Sequence, residues 1–570
     1  MIAVVAITAV TLGALGLGAY GVRFARTTSD LFVASRTVTP WFNAAAISGE
    51  YLSAASFLGI AGLEMKLGAS ALWLPVGFTA GYLALLLFVA APLRRLGSYT
   101  IPDFAEARLG GRPVRLATAV LVLAIGGLYL VPQLKGAGLT VREVTGAPYW
   151  VGIVVVGLVV ALNVASGGMR GITYVQAYQY WVKTFAIVLP ACILLIVLGG
   201  LPERAALFGR ELPAAPEGGA RIELAQPAQV TFPRAATVTV DGVAVHGQAG
   251  ETVTLPAGDL FVPEGTTMPV AEGVRAQEGR EWSRPVASGG GTASPLFVYS
   301  LLVATFLGTM GLPHILARFY TNPDGVAARQ TTVRVLGLLG IFYLFPAVYG
   351  LLGRVLVPEL YLTGETDSVV LRLPEAAWPG LGGELLGALV AAGAVAAFMS
   401  TASGLLVSIA GTSAYDVWPG RSVRGRVNRF RVAAVAGMAA PAALAFVARG
   451  LDISVLVGWA FALAASTFCP LLLLGIWWTR LTLAGAAAGM VAGAAAATGA
   501  IVVGLASDPD GASFAEGPVD ALLAQPAAVS VPLAFAVMVA VSLRTRRPRE
   551  MQAAMLALHL PDGLGPSALR

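Results

Sequence analysis

Charge is scarce in this sequence. Asp, Glu, Lys and Arg make up 12% of its 570 residues, where a soluble domain carries about 25%. So few charges cannot cover a water-facing surface, and the mean hydropathy is +0.77. Cysteine is nearly absent. Cys192 and Cys469 lie in separate apolar runs, which excludes a disulfide framework and leaves them as small buried hydrophobes. The three histidines, His246, His314 and His559, are scattered along the chain, so there is no structural zinc spacing. No Walker-type phosphate loop occurs, which argues against ATP-driven transport by this chain. Disorder and a collagen-like repeat are excluded by the same composition. What is abundant is Gly, with 68 residues, Ala, and long apolar runs. The class is an all-α polytopic membrane protein.

Thirteen runs reach the roughly 20 apolar residues that a spanning helix needs: 2–22, 41–62, 72–93, 113–133, 148–167, 178–199, 292–313, 332–355, 381–412, 432–449, 452–477, 483–506 and 527–543. The small basic excess, 37 Lys and Arg against 31 Asp and Glu, sits in short loops between these runs. It reads as a membrane-orientation signal, and no nucleic-acid module is present. Arg23, Arg26 and Arg36, then Arg94, Arg95, Arg108 and Arg112, then Arg170, then Arg318 and Arg329 fall on one side. Arg421, Arg424, Arg426 and Arg429, Arg480, and finally Arg544, Arg546, Arg547 and Arg549 follow on that side. The other side is acidic, with Glu359, Glu365, Asp367 and Glu375, then Asp508, Asp510 and Glu516. An odd number of spans then places the N-terminus outside and the C-terminus in the cytoplasm of a cell membrane. Lys66, Lys135 and Arg142 run against the rule. The first run lacks a basic stretch before it, so it reads as a retained helix and not a cleaved signal.

Residues 200–291 form a polar insertion on the outer side. Thr237, Val238, Thr239 and Val240, then Val243 to Val245, alternate in the manner of strands, consistent with a small β-rich unit or with an irregular loop. Its tail, 287–292, is rich in Gly and Ser. Met551 to Leu560 is weakly amphipathic.

Two spans carry polar clusters at mid-length. In 41–62, Ser48, Gly49, Glu50, Tyr51 and Ser53 interrupt the apolar run. A carboxylate inside a span is costly and functional by default, so Glu50 binds a cation, carries a proton or braces a break. Ser48, Ser53 and Ser56 also suit close helix packing. In 381–412, Ser400, Thr401 and Ser403 stand beside Gly404. Hydroxyl and carbonyl oxygens are ligands suited to Na⁺, and the same residues pack helices in membranes. Gln133 and Lys135 end the fourth span. Thr305, Gly308, Thr309 and Gly311 form a small-residue stretch suited to a solute path, and His314 beyond it reads as structural or gating.

At these residues the chain resembles the sodium:solute symporter family, and within it the cation/acetate (monocarboxylate) branch. The matching stretches are Ser48 to Gly59, Gly167 to Arg170 followed by Tyr174 to Gln176, Gly311 to Thr321, and Trp459 to Pro470. The likeness covers about 30 to 500, apart from the insertion. It implies two inverted five-helix repeats, each opening with a broken or bent helix. The chain then divides into 1–40 (first helix and inner loop), 41–199 (first repeat), 200–291 (insertion), 292–449 (second repeat), 450–545 (peripheral spans) and 546–570 (cytoplasmic tail).

The resemblance further implies a Na⁺ site on backbone carbonyls of Ser48 and Tyr51, the Ala397 carbonyl, and the Ser400 and Thr401 hydroxyls. Solute binding or gating would fall to Glu50, Ser53, Gln133, Gln176, Thr305 and Thr309. Gln176 stands where the sugar and proline branches carry Asp. The Ser400–Thr401 pair is typical of the wider family but often apolar in acetate permeases. The implied activity is symport of Na⁺ and a small organic anion such as acetate, propionate or pyruvate across the lipid bilayer. It involves no enzyme chemistry and no cofactor. Proton coupling, or another small solute such as an amino acid, are the alternatives.

Overall fold

The computed structural model describes residues 1–22, 38–98, 100–200, 209, 211–224, 226–271, 274, 277–286, 293–319, 321–418, 423–507, 517–546 and 551–560. Arg23, Arg26, Arg36, Arg421, Arg547, Arg549, Asp508, Asp510, Glu516, Tyr320 and the 287–292 tail lie outside them.

Among the described residues, ten helices are long and apolar enough to cross a bilayer. Pro295–Gly311 with Pro313–Phe319 adds an eleventh as a pair bent by 43°. Two of the ten hold more than one pass. Tyr149–Val197 has 49 residues, about 73 Å at 1.5 Å per residue, which is over twice the ~30 Å hydrocarbon core. It folds at Gly168, whose φ of 55° suits a residue without a Cβ. The stretch Ala55–Phe88 joins the end of one pass to the next. Trp282 donates its indole N–H to the Met65 carbonyl (3.0 Å), and Trp73 donates to Pro285 (2.8 Å). At the opposite end, Asn43 bonds Arg318, and Arg94 bonds Asn322 and Pro323. The chain therefore runs from Asn43 out to Met65 and returns from Trp73 to Arg94. Counted as passes, the thirteen expected spans are present.

These contacts define two ends, one carrying the insertion and one carrying Arg94, Arg108 and Arg115. Pass 40–67 runs toward the insertion end. Pass 293–319 starts just after the insertion and reaches Asn43 at the other end, so the two are antiparallel, as inverted repeats require. The bases that break the orientation rule are matched by acids at the insertion end. Lys66 pairs with Asp452 (2.8 Å), Lys135 with Asp367 (3.5 Å), Arg142 with Glu365 (2.5 Å) and Arg372 with Glu143 (2.7 Å). Asp367 lies outside the spans, and its burial raises its pKa against the pull of Lys135.

Ile453–Trp477 was placed among peripheral spans by the 450–545 boundary, but it lies in the middle. Its apolar window is wholly buried, packed between Ala293–Gly311 and Arg112–Thr145. Hydropathy does not distinguish a lipid-facing side chain from a protein-facing one, because both neighbours are apolar. The later spans Leu483–Ser507 and Ala527–Arg544 pair with each other, more exposed to lipid.

The insertion is β-structured. One sheet has the order β1 (Ala220–Leu224), β6 (Gly258–Val262), β3 (Ala236–Val240), β4 (Val243–Gly247). The other has β5 (Thr252–Leu255), β2 (Ala228–Thr231), β7 (Val270–Ala271). Alternate residues point inward, with Val230, Phe232, Val238, Val240, Leu255, Leu260 and Val262 forming the core. Asp241 and Gly242, both at positive φ, make the tight hairpin turn between β3 and β4. Leu362, from a connection between spans, is buried in the same core. Arg354 donates to the carbonyls of Glu211 and Gln277, which ties the unit to the membrane body.

Candidate functional site

The broken helix is the centre of the site. Pro40 starts its first half, Pro40–Tyr51, at a position where a missing N–H costs nothing. Ser48, Gly49 and Ser53 are weak helix formers, and helical geometry stops at Leu52 and Ser53. A π-turn, Ala55–Gly59, leads into Ile60–Leu67. The break frees backbone groups in an apolar interior, where each needs a partner. Gln133 accepts the Ala54 N–H on Oε1 (2.9 Å). Thr401 donates to the Glu50 carbonyl (2.5 Å). Ser400 donates to the Gly49 carbonyl (2.7 Å) or to its own helix at Ala397 (2.9 Å).

The polar cradle between the break and Leu381–Thr412 is bonded through carbonyls other than those of Ser48 and Tyr51. It uses the carbonyls of Gly49 and Leu52, whereas the Ser48 carbonyl is taken by the Leu52 N–H (3.0 Å). Tyr51 contributes its side chain, with its hydroxyl 2.8 Å from Thr309 Oγ1. From Leu381–Thr412, the Ala397 carbonyl and the Ser400 and Thr401 hydroxyls face this joint. A residue not expected at all occupies the middle. Lys183 Nζ donates to the Gly49 carbonyl, the Leu52 carbonyl (2.6 Å) and Ser400 Oγ (2.7 Å). The side chain is buried. A Na⁺ on these oxygens would stand against the ammonium. Two unit charges ~3 Å apart repel by about 5 kcal/mol at an effective dielectric of about 20.

Glu50 also has a partner. Its Oε2 accepts from Arg318 Nε at 2.5 Å, and neither side chain is more than 1% exposed. Arg318 NH1 donates to Thr173 Oγ1 (2.7 Å). A loop arginine was expected at 318, but Pro313–Phe319 prolongs the span inward and carries it to the break. Gly404 packs on the Glu50 carboxylate so closely that a Cβ there would overlap it.

The remaining expected residues separate into groups. Gln176 donates to the Ser400 carbonyl (2.8 Å) on Leu381–Thr412, whereas Gln133 bonds the break itself. Ser53 is buried at the break itself. Thr309 touches Tyr51, while Thr305 bonds back to Leu301 (2.8 Å) and packs under Gly77, away from the cradle.

An aromatic box adjoins the break. Tyr51 meets Tyr82 edge-on (4.6 Å between centroids), Phe78 meets Phe461 (4.9 Å) and Tyr129 meets His314 (5.4 Å). Within the described structure, Ser48 Oγ, the Tyr82 hydroxyl and both His314 ring nitrogens are buried without a hydrogen-bond partner. Such orphans cost about 1–3 kcal/mol each.

Sequence reasoning singles out Glu50 and misses Lys183 and Arg318. The same signal was present for Lys183, a charge inside the expected span 178–199. Arg318 was hidden by the apparent end of its span at 313.

Antiparallel repeats, a helix broken at mid-membrane, and polar groups gathered on the break define a secondary transporter with an inverted-repeat core. The comparisons with known proteins agree. The model of the sodium:solute symporter family matches residues 31–255 and 267–493, and the chain belongs to that family. It is a multi-pass membrane transporter and not an enzyme. It is 30% identical over 519 residues to the uncharacterized symporter YwcA of Bacillus subtilis (strain 168), covering 90% of this chain and 88% of that one. The fold is similar to that of a Na⁺-coupled sialic acid symporter, with TM-score 0.63, 13% identity, and 96% and 98% of the two chains covered. It is also similar to Mhp1, a nucleobase-cation-symport-1 family transporter, with TM-score 0.50, 13% identity, and 92% and 98% covered.

Proposed function

We propose that this chain takes up a small organic anion, a short-chain monocarboxylate such as acetate, propionate or pyruvate, with Na⁺ as the coupling ion its family implies. One observation carries the anion reading. The groups that meet at the break are two basic side chains, Lys183 and Arg318, and a single carboxylate, Glu50. With all three ionised, one positive charge is left over in an apolar interior, where a monoanion is the complement that costs least. Gln176 in place of an acid fits the same balance, because a carboxylate there would cancel the excess. The unpartnered Tyr82, Ser48 and His314 groups supply donors for a carboxylate or keto oxygen.

The cycle is alternating access. Cation and solute favour the same state of the transporter, so each raises the other's affinity by the same factor. We place the insertion end outside and the arginine-bearing end in the cytoplasm of the cell membrane. The acid-matched bases of the insertion end and the arginines opposite support that orientation. The test is uptake of labelled acetate, pyruvate and proline into proteoliposomes, with Na⁺ and pH gradients set independently. Monocarboxylate uptake driven by the Na⁺ gradient is the expected result. Proline uptake in its place, or uptake indifferent to Na⁺ and driven by pH, contradicts the respective half of the proposal.

A further inference from the structure

We propose that the joint between the broken helix and Leu381–Thr412 is closed by a cation belonging to the chain itself, the Lys183 ammonium, and that Na⁺ does not occupy this joint while Lys183 is present. The inference rests on reading the joint as the family's sodium cradle and is independent of which solute is carried.

The first argument is stoichiometric. An ammonium has three N–H groups and no acceptor. Lys183 Nζ finds three oxygens, the Gly49 and Leu52 carbonyls and Ser400 Oγ. The Ser400 proton is directed to Gly49 or Ala397, which leaves its lone pair for Lys183. Two of these oxygens come from the break and one from Leu381–Thr412, so Nζ joins the two elements that a coupling Na⁺ would join.

The second argument is placement. A lysine that merely snorkels reaches for water at a membrane surface. Lys183 lies mid-span, is fully buried, and turns its ammonium inward to backbone carbonyls. The third argument is charge. Glu50 is engaged by Arg318 at 2.5 Å. A Na⁺ added beside Lys183 would raise the excess at the break to two positive charges without a further acid to offset it. The oxygens are suited to a cation, and the cation is already supplied. Any sodium that drives uptake then binds elsewhere in the molecule.

The experiment measures thermal unfolding of the purified full chain in detergent, with Na⁺ replaced by choline at constant ionic strength and no solute added. A bound ion raises the unfolding midpoint. Wild type, Lys183→Met, Ser400→Ala/Thr401→Val, and Lys183→Met combined with Ser400→Ala are compared. Lys183→Met vacates the cradle, so it gains a Na⁺-specific rise of a few degrees that the added Ser400→Ala removes. The response of wild type to Na⁺, whatever its size, is the same in Ser400→Ala/Thr401→Val. If Lys183→Met folds only when Na⁺ is present, that rescue supports the proposal equally. If it folds under neither condition, Lys183→Gln is used and read the same way. A wild-type Na⁺ response abolished by Ser400→Ala/Thr401→Val overturns the inference. So does a folded Lys183 variant without a Ser400-dependent Na⁺ response. Solute uptake does not enter this readout, so failure of the monocarboxylate reading remains a separate result.

Discussion

The insertion and the break reach order by opposite means. In the insertion, Val230, Phe232, Val238 and Leu260 are pushed inward by strand alternation, and backbone groups pair strand to strand. In the break, the backbone has lost its regular pairing, and side chains from distant helices replace it one group at a time. Gln133 serves Ala54, Thr401 serves Glu50, and Lys183 serves Gly49 and Leu52. The contrast teaches where change is possible. A strand ladder has one low-energy pairing, whereas side-chain bonds to freed carbonyls can be broken one at a time.

The largest expected effect is at the ion pair. Arg318→Met strands the Glu50 charge in the interior, at a cost of about 3–5 kcal/mol. Thermal unfolding shows it as a sharply lowered midpoint, and Glu50→Gln/Arg318→Met recovers part of the loss. If Arg318→Met unfolds like wild type, the pair does not hold the break. Phe232→Ala strikes the other side of the comparison, emptying the sandwich core for about 3 kcal/mol. Its damage is confined to the insertion, seen as faster protease cleavage within 211–271 while the spans keep their midpoint. Gln133→Leu removes the acceptor for the Ala54 N–H and costs about 1–3 kcal/mol. Uptake should fall with it, and unchanged stability would show that the break needs no brace there. Gly242→Ala is the mildest, about 1 kcal/mol for a Cβ at positive φ, read as a small loss of stability in the insertion alone.

Much of this was legible in the residues. Run length pointed to the thirteen passes, the Ser48–Ser53 cluster to the break, and Val/Thr alternation to a β-rich unit as one of two readings. Three things were hidden for physical reasons. Backbone carbonyls are common to every residue, so nothing in the sequence distinguishes Gly49 and Leu52 from Ser48 and Tyr51 as the oxygens that meet Lys183. Hydropathy is blind to what lies beside an apolar face, so Ile453–Trp477 passed for a peripheral span. The partners of Glu50 are separated from it by 268 residues for Arg318, a distance only the tertiary fold bridges. Lys183 was the exception, since its charge inside a span carried the same signal as Glu50.

The central claim is that the break recognises negative charge. It is tested most directly by competition in proteoliposomes, with labelled acetate uptake challenged by unlabelled propionate and by its neutral amide. The account predicts that propionate suppresses uptake while propionamide, of nearly the same shape, has no effect at equal concentration. Equal suppression by both would show that shape, and not the positive excess of Lys183 and Arg318 over Glu50, selects the solute.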